Sequence, residues 1–313
     1  MSQIQPHVPS SLPDAIRNTV VTRLAADRRT VEQALDALLP AADAPPPQIH
    51  EAMRHSVFGG GKRLRPILVL AGADVVGAGP EAVLHAACAV ELIHTYSLVH
   101  DDLPAMDDSP TRRGRPSCHT LYGDAVAILA GDALHAHAFE LLANGTAATG
   151  VPSDRAMRAV AELARSIGTA GMVGGQMLDL VAAGKHVAAA DVHEIHRLKT
   201  GALIQACLCI GGILGGASDR ALDALRRYGA NLGLAFQIVD DVLDVVGDEG
   251  KLGKATGADA AQAKITFPLV FGLAASRRLA DDATARAIDA LQPFGDRGRW
   301  LRDLALYLLH RDR

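Results

Sequence analysis

Four aspartates crowd into eight residues near the first third of the chain, directly after a mainly apolar run. The stretch reads Asp101, Asp102, Leu103, Pro104, Ala105, Met106, Asp107, Asp108. Carboxylates this close repel one another and tend to raise each other's pKa. A shared cation would relieve that repulsion, so the run predicts either a cation site or, as the simpler alternative, a loose acidic helix end.

A second acidic cluster follows another apolar run far along the chain. Asp240 and Asp244 are four residues apart and therefore share one face of a helix, with Asp241 one position round. In the first cluster Asp101 and Asp107 would lie about 120° apart on a regular helix. Because proline disturbs the preceding helical turn, the helix is predicted to end or distort near Pro104, so that Asp107 turns back toward Asp101.

The rest of the sequence predicts an all-α fold. Aromatic residues make up 4% of the chain and β-branched runs are short, which favours helix over sheet. Apolar residues recur at helical spacing from Asp14 onward, and no linker divides the chain. We therefore expect a loose, proline-containing arm over 1–13 and a single all-helical domain over 14–313.

Composition also narrows the partners and the compartment. A formal net charge of −4 gives no electrostatic case for nucleic acid. Four cysteines form no CxxC pair, which favours a reducing, cytoplasmic environment. No signal-peptide pattern is visible, and no uninterrupted apolar stretch reaches the roughly 20 residues that span a bilayer, so we expect a soluble protein.

Basic groups accompany both acidic clusters. They are Lys62, Arg63 and Arg65 in the run Gly60–Pro66, the pair Arg112 and Arg113, Lys199 before Thr200 and Gly201, and Lys254 and Lys264 after the second cluster. Each alone is ordinary surface charge. Together with paired carboxylates they suit Mg²⁺ shared with substrate phosphates. A di-iron carboxylate bundle is the rival metal site, but it would use Glu and Glu-x-x-His, and here the acids are Asp.

These motifs resemble the trans-isoprenyl diphosphate synthases, the polyprenyl synthetase family, and most closely its bacterial farnesyl diphosphate synthases. The resemblance runs from about Gly59 to the C-terminus. It is carried by Gly60–Pro66, Asp101-Asp102-x4-Asp107, Gly171-Met172-x-Gly174-Gly175-Gln176, Lys199-Thr200-Gly201, Phe236-Gln237, Asp240-Asp241-x2-Asp244 and the basic ending after Leu306.

The resemblance implies an isoprenoid synthase-type helical bundle around a deep central cavity, usually a homodimer. It implies three Mg²⁺ ions that bridge the aspartates to an allylic diphosphate, such as dimethylallyl or geranyl diphosphate. The leaving diphosphate departs, the allylic cation is attacked by isopentenyl diphosphate, and a proton is lost to the released diphosphate. The expected reaction is the head-to-tail (1'-4) condensation to trans-farnesyl diphosphate.

Site roles are carried over by the same resemblance. The residues expected to hold isopentenyl diphosphate are Lys62, Arg65, His94 and Arg113. Those expected to hold the allylic diphosphate are Arg112, Lys199, Thr200, Gln237 and Lys254. Those expected at the metals are Asp101, Asp102, Asp107, Asp240 and Asp244.

Product length is read from the helix that leads to Asp101. Tyr96 lies five residues before it, about 7.5 Å along a helix, and Ser97 lies four before it. In the family an aromatic ring here implies a floor that stops elongation at farnesyl.

Three alternatives stay open: a geranylgeranyl diphosphate synthase, a non-catalytic subunit of a prenyl synthase heteromer, and a class I terpene cyclase. The two intact aspartate motifs and Gly60–Pro66 argue against the last two.

Overall fold

The computed structural model describes residues 11–183, 189–246 and 265–311, and its secondary structure is almost entirely helical. The helices, in chain order, are α1 Asp14–Leu38, α2 Pro47–Val57, α3 Leu64–Asp74, α4 Leu84–Asp101, α5 Cys118–Tyr122, α6 Asp124–Ala148, α7 Ser153–Ile167, α8 Met172–Ala182, α9 Ala189–His196, α10 Ala202–Leu214, α11 Asp219–Val246, α12 Phe267–Phe271, α13 Leu273–Ala290 and α14 Arg299–Leu309. Short 3-10 turns lie at Pro80–Ala82 and Gln292–Gly298, and a π-helical turn at Arg197–Gly201 joins α9 to α10.

Helix α4 lies in the centre of the main hydrophobic core. Its run from Ala86 to Ile93 is buried on all sides, and it packs against α1, α3 and α6. On the far side of α3, α10 approaches so closely that a Cβ atom on Gly211 would lie 2.0 Å from the carbonyl oxygen of Val69. Burial all round explains why α4 and α10 are apolar without a polar face.

Helix α11 carries the second acidic cluster between α10 and α13. Its middle packs into the main core, where the buried Tyr228 hydroxyl donates a 2.7 Å hydrogen bond to the Leu301 carbonyl of α14. Its C-terminal part belongs to a smaller apolar cluster that includes Ile238, Val242 and Phe267. The two acidic clusters therefore lie toward the C-terminal ends of α4 and α11, and the preceding part of each helix is packed in the core.

The all-α prediction is confirmed, with one local difference. We predicted no strand, but within the described ranges Thr111–Arg112 and Arg115–Pro116 form a two-stranded hairpin. Arg113 (φ 55°) and Gly114 (φ 74°) form its turn with positive φ at both central residues, as type I′ hairpins require. Strands of two residues are too short to show alternation in a sequence.

Two helical stretches in the described ranges satisfy the length and hydropathy of a membrane span, Asp124–Gly145 and Ala189–Leu214. The second is 72% buried inside the fold, as a core helix is, whereas the first is 39% buried. Each is interrupted by charged residues, such as Asp132 in the first and Lys199 in the second.

The single-domain boundary and the loose arm over 1–13 stay predictions, because residues 1–10 lie outside the described residues. Within that arm, Leu12 is buried and Pro13 precedes the first turn of α1.

Candidate active site

The first aspartate motif lies where α4 ends. The helix stops at Asp101, and the chain turns back so that the Asp107 N–H donates a 2.9 Å hydrogen bond to the Asp101 carbonyl. The Ser109 N–H donates to the Asp102 carbonyl at 3.1 Å in the same turn. The predicted distortion near Pro104 is confirmed, and it brings the backbones of Asp101 and Asp107 together.

Asp102 has a different environment from its neighbours. Its side chain is nearly buried and pairs with Arg112, whose Nε lies 3.0 Å from Oδ1 and whose Nη2 also contacts Oδ1. Burial alone would lower the pKa of Arg112, but the hydrogen bond and the charge of Asp102 outweigh it and raise that pKa. The structure therefore gives Asp102 the task of holding Arg112 at the hairpin.

Lys199 connects the first aspartate motif to α8. Its Nζ lies 2.6 Å from the carboxylate of Asp179. Burial lowers the pKa of Lys199, but the negative charges of Asp101, Asp179 and Asp107 more than compensate, so the pKa is raised and the ammonium stays charged. One helical turn before Asp179, Gln176 donates a hydrogen bond from Nε2 to Oδ1 of Asp101.

Thr200, the next residue, points to the second aspartate motif instead. Its hydroxyl donates a 2.9 Å hydrogen bond to Oε1 of Gln237 on α11. Both Lys199 and Thr200 belong to the π-helical turn, a distortion that often marks functional sites. The widened turn lets two consecutive side chains reach α8 on one side and α11 on the other, so this one turn lies beside both acidic clusters.

The carboxylates on α11 differ in exposure. Asp240 has a half-exposed side chain that pairs with Arg311, at 2.6 Å from Nη2 to Oδ1. Asp241 and Asp244 are buried at 2% and 3% exposure. The guanidinium of Arg311 also stacks over the Phe236 ring at 3.9 Å, so the segment directly after α14 packs against this part of the site.

A cavity of about 710 Å³ lies between α1, the glycine run at 59–61, α4, α11 and α14. Arg65, His94, Arg113 and Arg311 line it, together with the aromatic rings of Phe236 and Tyr307. Burial lowers the pKa of Arg65 and of Arg113, and Glu91 is the carboxylate that offsets this most for Arg113. The cavity wall thus carries more positive than negative charge.

His94 is a neutral partner of Arg65. Its pKa is lowered well below the ordinary value, first by burial and then by the charges of Arg65, Arg113, Arg112 and Arg63. Arg65 Nη1 lies 3.2 Å from His94 Nε2. An arginine can only donate, so Nε2 accepts and the ring proton belongs on Nδ1. His94 therefore orients Arg65.

The glycine run is held by a buried ion pair. Arg63 Nη1 lies 2.7 Å from Oε1 of Glu91, and both side chains are nearly inaccessible to solvent. Arg63 also donates to the Val57 carbonyl at 2.7 Å. Above it, Arg113 donates to the Gly60 carbonyl, and a Cβ on Gly61 would lie 2.4 Å from the Arg113 guanidinium. A side chain here would displace the guanidinium, and the φ of 126° at Gly61 also favours glycine.

Tyr96, the predicted floor, belongs to an aromatic layer between α4 and α6. Its ring meets His135 edge-on at 5.0 Å, and His135 meets Phe139 in the same way at 5.3 Å. Tyr96 also contacts His100, one turn on along α4. The Ser97 hydroxyl, in contrast, donates to the His94 carbonyl of its own helix.

The sequence predicted no role for several residues at the site, although Gln176 belongs to a motif that carries the resemblance. Gln176 and Asp179 are three apart on one face of α8, a spacing that could have indicated a shared task. Glu91 is an isolated acid within the apolar run of α4, well before the terminal Asp101, which is a signal of a buried ion pair. His135 and Phe139 carried no such signal.

Of the predicted binding residues, Lys62 is exposed at the cavity and Lys254 lies outside the described residues.

The predicted metal ligands fit a substrate-shared site better than a cage made by protein alone. Within the described ranges, no group of three His, Cys, Asp or Glu side chains is arranged to hold a metal ion. Mg²⁺ usually binds through one or two carboxylates together with substrate phosphates. The turn that joins Asp101 to Asp107, and the half-exposed Asp240, supply oxygen donors of that kind.

Comparisons with known proteins agree with this geometry. The polyprenyl synthetase family model matches residues 46–291. The chain is 45% identical over 285 residues to the large subunit 1 of a heterodimeric geranylgeranyl pyrophosphate synthase of Arabidopsis thaliana, covering 90% of this chain and 76% of that protein. It is 41% identical to the geranylgeranyl diphosphate synthase of Cyanophora paradoxa, covering 94% and 97%.

Solved structures resemble the chain over nearly its whole length. The crystal structure of a FPP/GFPP synthase from Zymomonas mobilis matches with a TM-score of 0.82 and 36% identity, covering 93% of this chain and 99% of that one. The geranylgeranyl pyrophosphate synthetase of Pyrococcus horikoshii matches with a TM-score of 0.84 and 32% identity, covering 94% and 99%. The expected isoprenoid synthase fold is confirmed.

His196, beside the site, makes stability depend on pH. Burial lowers its pKa to about 4; the charge of Asp179 opposes this shift, and those of Lys199 and His193 add to it. Its Nε2 lies 3.5 Å from Asp241. Between pH 6.5 and 4 the unfolded chain therefore binds a proton that the folded state rejects, so stability is full above pH 6.5 and falls as the pH decreases.

We expect His196 to lower the free energy of unfolding, measured in urea, by about 2 kcal/mol between pH 7 and pH 5. His196→Asn removes the titrating ring and should reduce the pH dependence by that amount. Equal dependence on pH in the two proteins would contradict the assignment.

Proposed function

Because the chain belongs to the polyprenyl synthetase family, we propose that it condenses isopentenyl diphosphate with an allylic diphosphate to form farnesyl diphosphate. The observation that carries the proposal is the arrangement of Lys199 and Thr200. The ammonium of Lys199 interacts with the charges of Asp101 and Asp107, and the Thr200 hydroxyl donates to Gln237 beside the second motif, which supports a proposed active-site space between the two motifs. That space adjoins the cationic cavity through Phe236 and Arg311.

The cavity suits isopentenyl diphosphate. Arg63 is neutralised by Glu91, whereas the partly buried Arg65 and the more exposed Arg113 bring positive charge that a diphosphate would compensate. Arginine grips phosphate oxygens in pairs, and Lys62 at the opening adds a point charge. With the diphosphate held here, its double bond can be directed toward α11 and the allylic carbon.

The allylic diphosphate would be held at the aspartate motifs. Asp101, Asp107, Asp240 and Asp244 would ligate three Mg²⁺ ions, which stabilise the departing diphosphate as Lewis acids. Arg112, fixed by Asp102, and the charged Lys199 would bind its oxygens. The oxygens of Thr200 and Gln237 would face the carbon from which it leaves. The new bond forms to that carbon, and the proton lost goes to the released diphosphate.

The decisive assay combines purified protein with Mg²⁺, isopentenyl diphosphate and either dimethylallyl or geranyl diphosphate. We expect farnesyl diphosphate from both starters and none after chelation of the metal. Asp107→Asn should lower kcat by about 100-fold or more, because it removes an oxygen donor at the developing charge. Asp108→Asn is the matched control, since Asp108 is exposed and adjacent, and its positive φ is tolerated by Asn.

No condensation with either starter would contradict the prenyltransferase proposal. Activity without metal, or an equal loss in the Asp108 variant, would contradict the assigned roles of the aspartates.

Product length is the finer part of the proposal. The similar proteins of Arabidopsis thaliana and Cyanophora paradoxa are named as geranylgeranyl synthases, and the Zymomonas mobilis structure as a FPP/GFPP synthase. What supports farnesyl here is the aromatic layer, in which Tyr96 is backed by His135 and Phe139. A supported ring is harder to displace by a growing chain than an isolated one. Geranylgeranyl diphosphate is the second candidate product.

Tyr96→Ala should lengthen the product, because it opens the floor below the allylic end. We expect farnesol from the wild type and geranylgeraniol or longer alcohols from the variant, read by chromatography after dephosphorylation. Tyr122→Ala, on α5, is the control and should leave the product length unchanged. Farnesol alone from the Tyr96 variant would place the floor elsewhere.

A homodimer is the assembly that the surface favours. The stretch Asp124–Gly145 has a mean hydropathy of 1.3 but is only 39% buried. Ile128 and Leu129 on its outer face are 44% and 56% exposed, and Leu121 next to it is 51% exposed. A second copy that covers α6 would bury this face. The intact aspartate motifs argue that each copy is catalytic and not an inactive partner subunit.

Leu129→Glu should shift the protein from dimer to monomer in analytical ultracentrifugation, because a charge would be buried at the interface. Met157→Glu is the matched control: Met157 is 65% exposed on α7 and should leave the dimer intact. A wild-type monomer would contradict the assembly, and so would a Leu129 variant that stays dimeric.

A further inference from the structure

Asp241, the middle residue of the second aspartate motif, is held by protein groups on both carboxylate oxygens. It is 2% exposed. Oδ2 accepts a 2.9 Å hydrogen bond from the Phe267 N–H at the start of α12. Oδ1 accepts a 2.8 Å hydrogen bond from Nε2 of Gln237, one turn earlier on α11. In contrast, the side chain of the adjacent Asp240 is 47% exposed.

The chain of hydrogen bonds continues from Gln237 to Thr200. Gln237 donates from its NH₂ group to Asp241, and its Oε1 accepts a hydrogen bond from the hydroxyl of Thr200 at 2.9 Å. A backbone N–H can only donate, and an ionised carboxylate can only accept. The orientation of the Gln237 amide therefore follows from its two neighbours. Turning the amide over would place its oxygen against the carboxylate.

The anchor at Phe267 is rigid. The Phe267 side chain is fully buried, and its ring stacks on His196 at 5.3 Å and on Phe271 at 5.6 Å. His196 in turn ends α9, directly before the π-helical turn that carries Thr200. The two donors at the ends of this hydrogen-bond series, the Phe267 N–H and the Thr200 hydroxyl, are thus fixed by the same packed cluster, which leaves little freedom to the two side chains between them.

We infer that Asp241 is a positioning residue that fixes the amide of Gln237 with its oxygen toward Thr200. This rests on the proposed function, in which Thr200 and Gln237 border the carbon that loses diphosphate. With its hydroxyl proton donated to Gln237, Thr200 presents oxygen lone pairs to that carbon. A cation is stabilised by such preorganised dipoles and repelled by N–H groups in the same place.

The test exchanges donor and acceptor at one point of the hydrogen-bond series. In Asp241→Asn the side-chain oxygen must accept from the Phe267 N–H, so its NH₂ group faces Gln237. Gln237 must then turn over and present NH₂ to Thr200. We expect kcat to fall about 100-fold. The KM for isopentenyl diphosphate and the Mg²⁺ concentration at half-maximal rate should stay within about twofold of the wild type.

A second substitution should restore the order of donors and acceptors. In the double variant Asp241→Asn with Gln237→Glu, the new amide on α11 donates to one oxygen of the new carboxylate, and the other oxygen accepts from Thr200. We expect kcat to recover at least about tenfold over Asp241→Asn, as the lost preorganisation returns. Gln237→Glu alone places two carboxylates against each other and should be less active than the double variant.

Asp240→Asn is the matched control for a metal ligand and should raise the half-saturating Mg²⁺ concentration. The inference is overturned if Asp241→Asn behaves like that control, retains the wild-type kcat, or is not rescued by Gln237→Glu. If the wild type forms no prenyl product, the proposed function fails; melting temperatures then decide the inference. Each single variant should have a lower melting temperature than the wild type, and the double variant should have a higher one than either single variant. If the two single losses in melting temperature simply add in the double variant, the inference is overturned.

Discussion

The structure depends on how a helical core accommodates charge. Buried ions are costly unless they are paired, and three of the close pairs at the site are Arg63 with Glu91, Arg112 with Asp102, and Lys199 with Asp179. Each pair fixes a segment that carries binding groups: the glycine run, the hairpin and the π-helical turn. Arg65 and Arg113 differ, because burial lowers the pKa of both. Their positive charge, which Glu91 offsets only in part, makes the cavity suited to an anion.

Irregular backbone at helix ends gives the site its shape. Pro104 ends α4 so that Asp107 returns to Asp101, and the π-helical turn directs Lys199 and Thr200 to opposite walls. The type I′ turn places Arg112 against Asp102 and Arg113 against the glycine run. Each distorted segment adjoins a helix that is packed in the core. Packing therefore preorganises the side chains on these segments, and substrate need not order them.

Local chemistry was predictable, and pairing across the fold was not. The helical spacing, Pro104 and the two aspartate clusters identified the fold class and the region of the site from residues near in sequence. The partners of Asp102, Asp241 and Tyr96 were not identified from the sequence, because Arg112, Phe267 and His135 are brought to them by helix packing or by turns too short to leave a pattern. Asp102 and Asp241 show the consequence most clearly: both belong to the aspartate motifs, but protein donors hold both.

The sequence by itself determined that the chain forms apolar helices and carries acidic clusters beside cations, because periodicity and charge are properties of neighbouring residues. The tertiary structure alone decided which aspartates are half-exposed and which are buried against an arginine or a backbone N–H. It also decided that Tyr96 is backed by a second and a third ring. Burial and hydrogen-bond partners depend on segments that meet in space, and for Asp102 and Asp241 the protein donors that hold the carboxylate indicate a support for neighbouring groups.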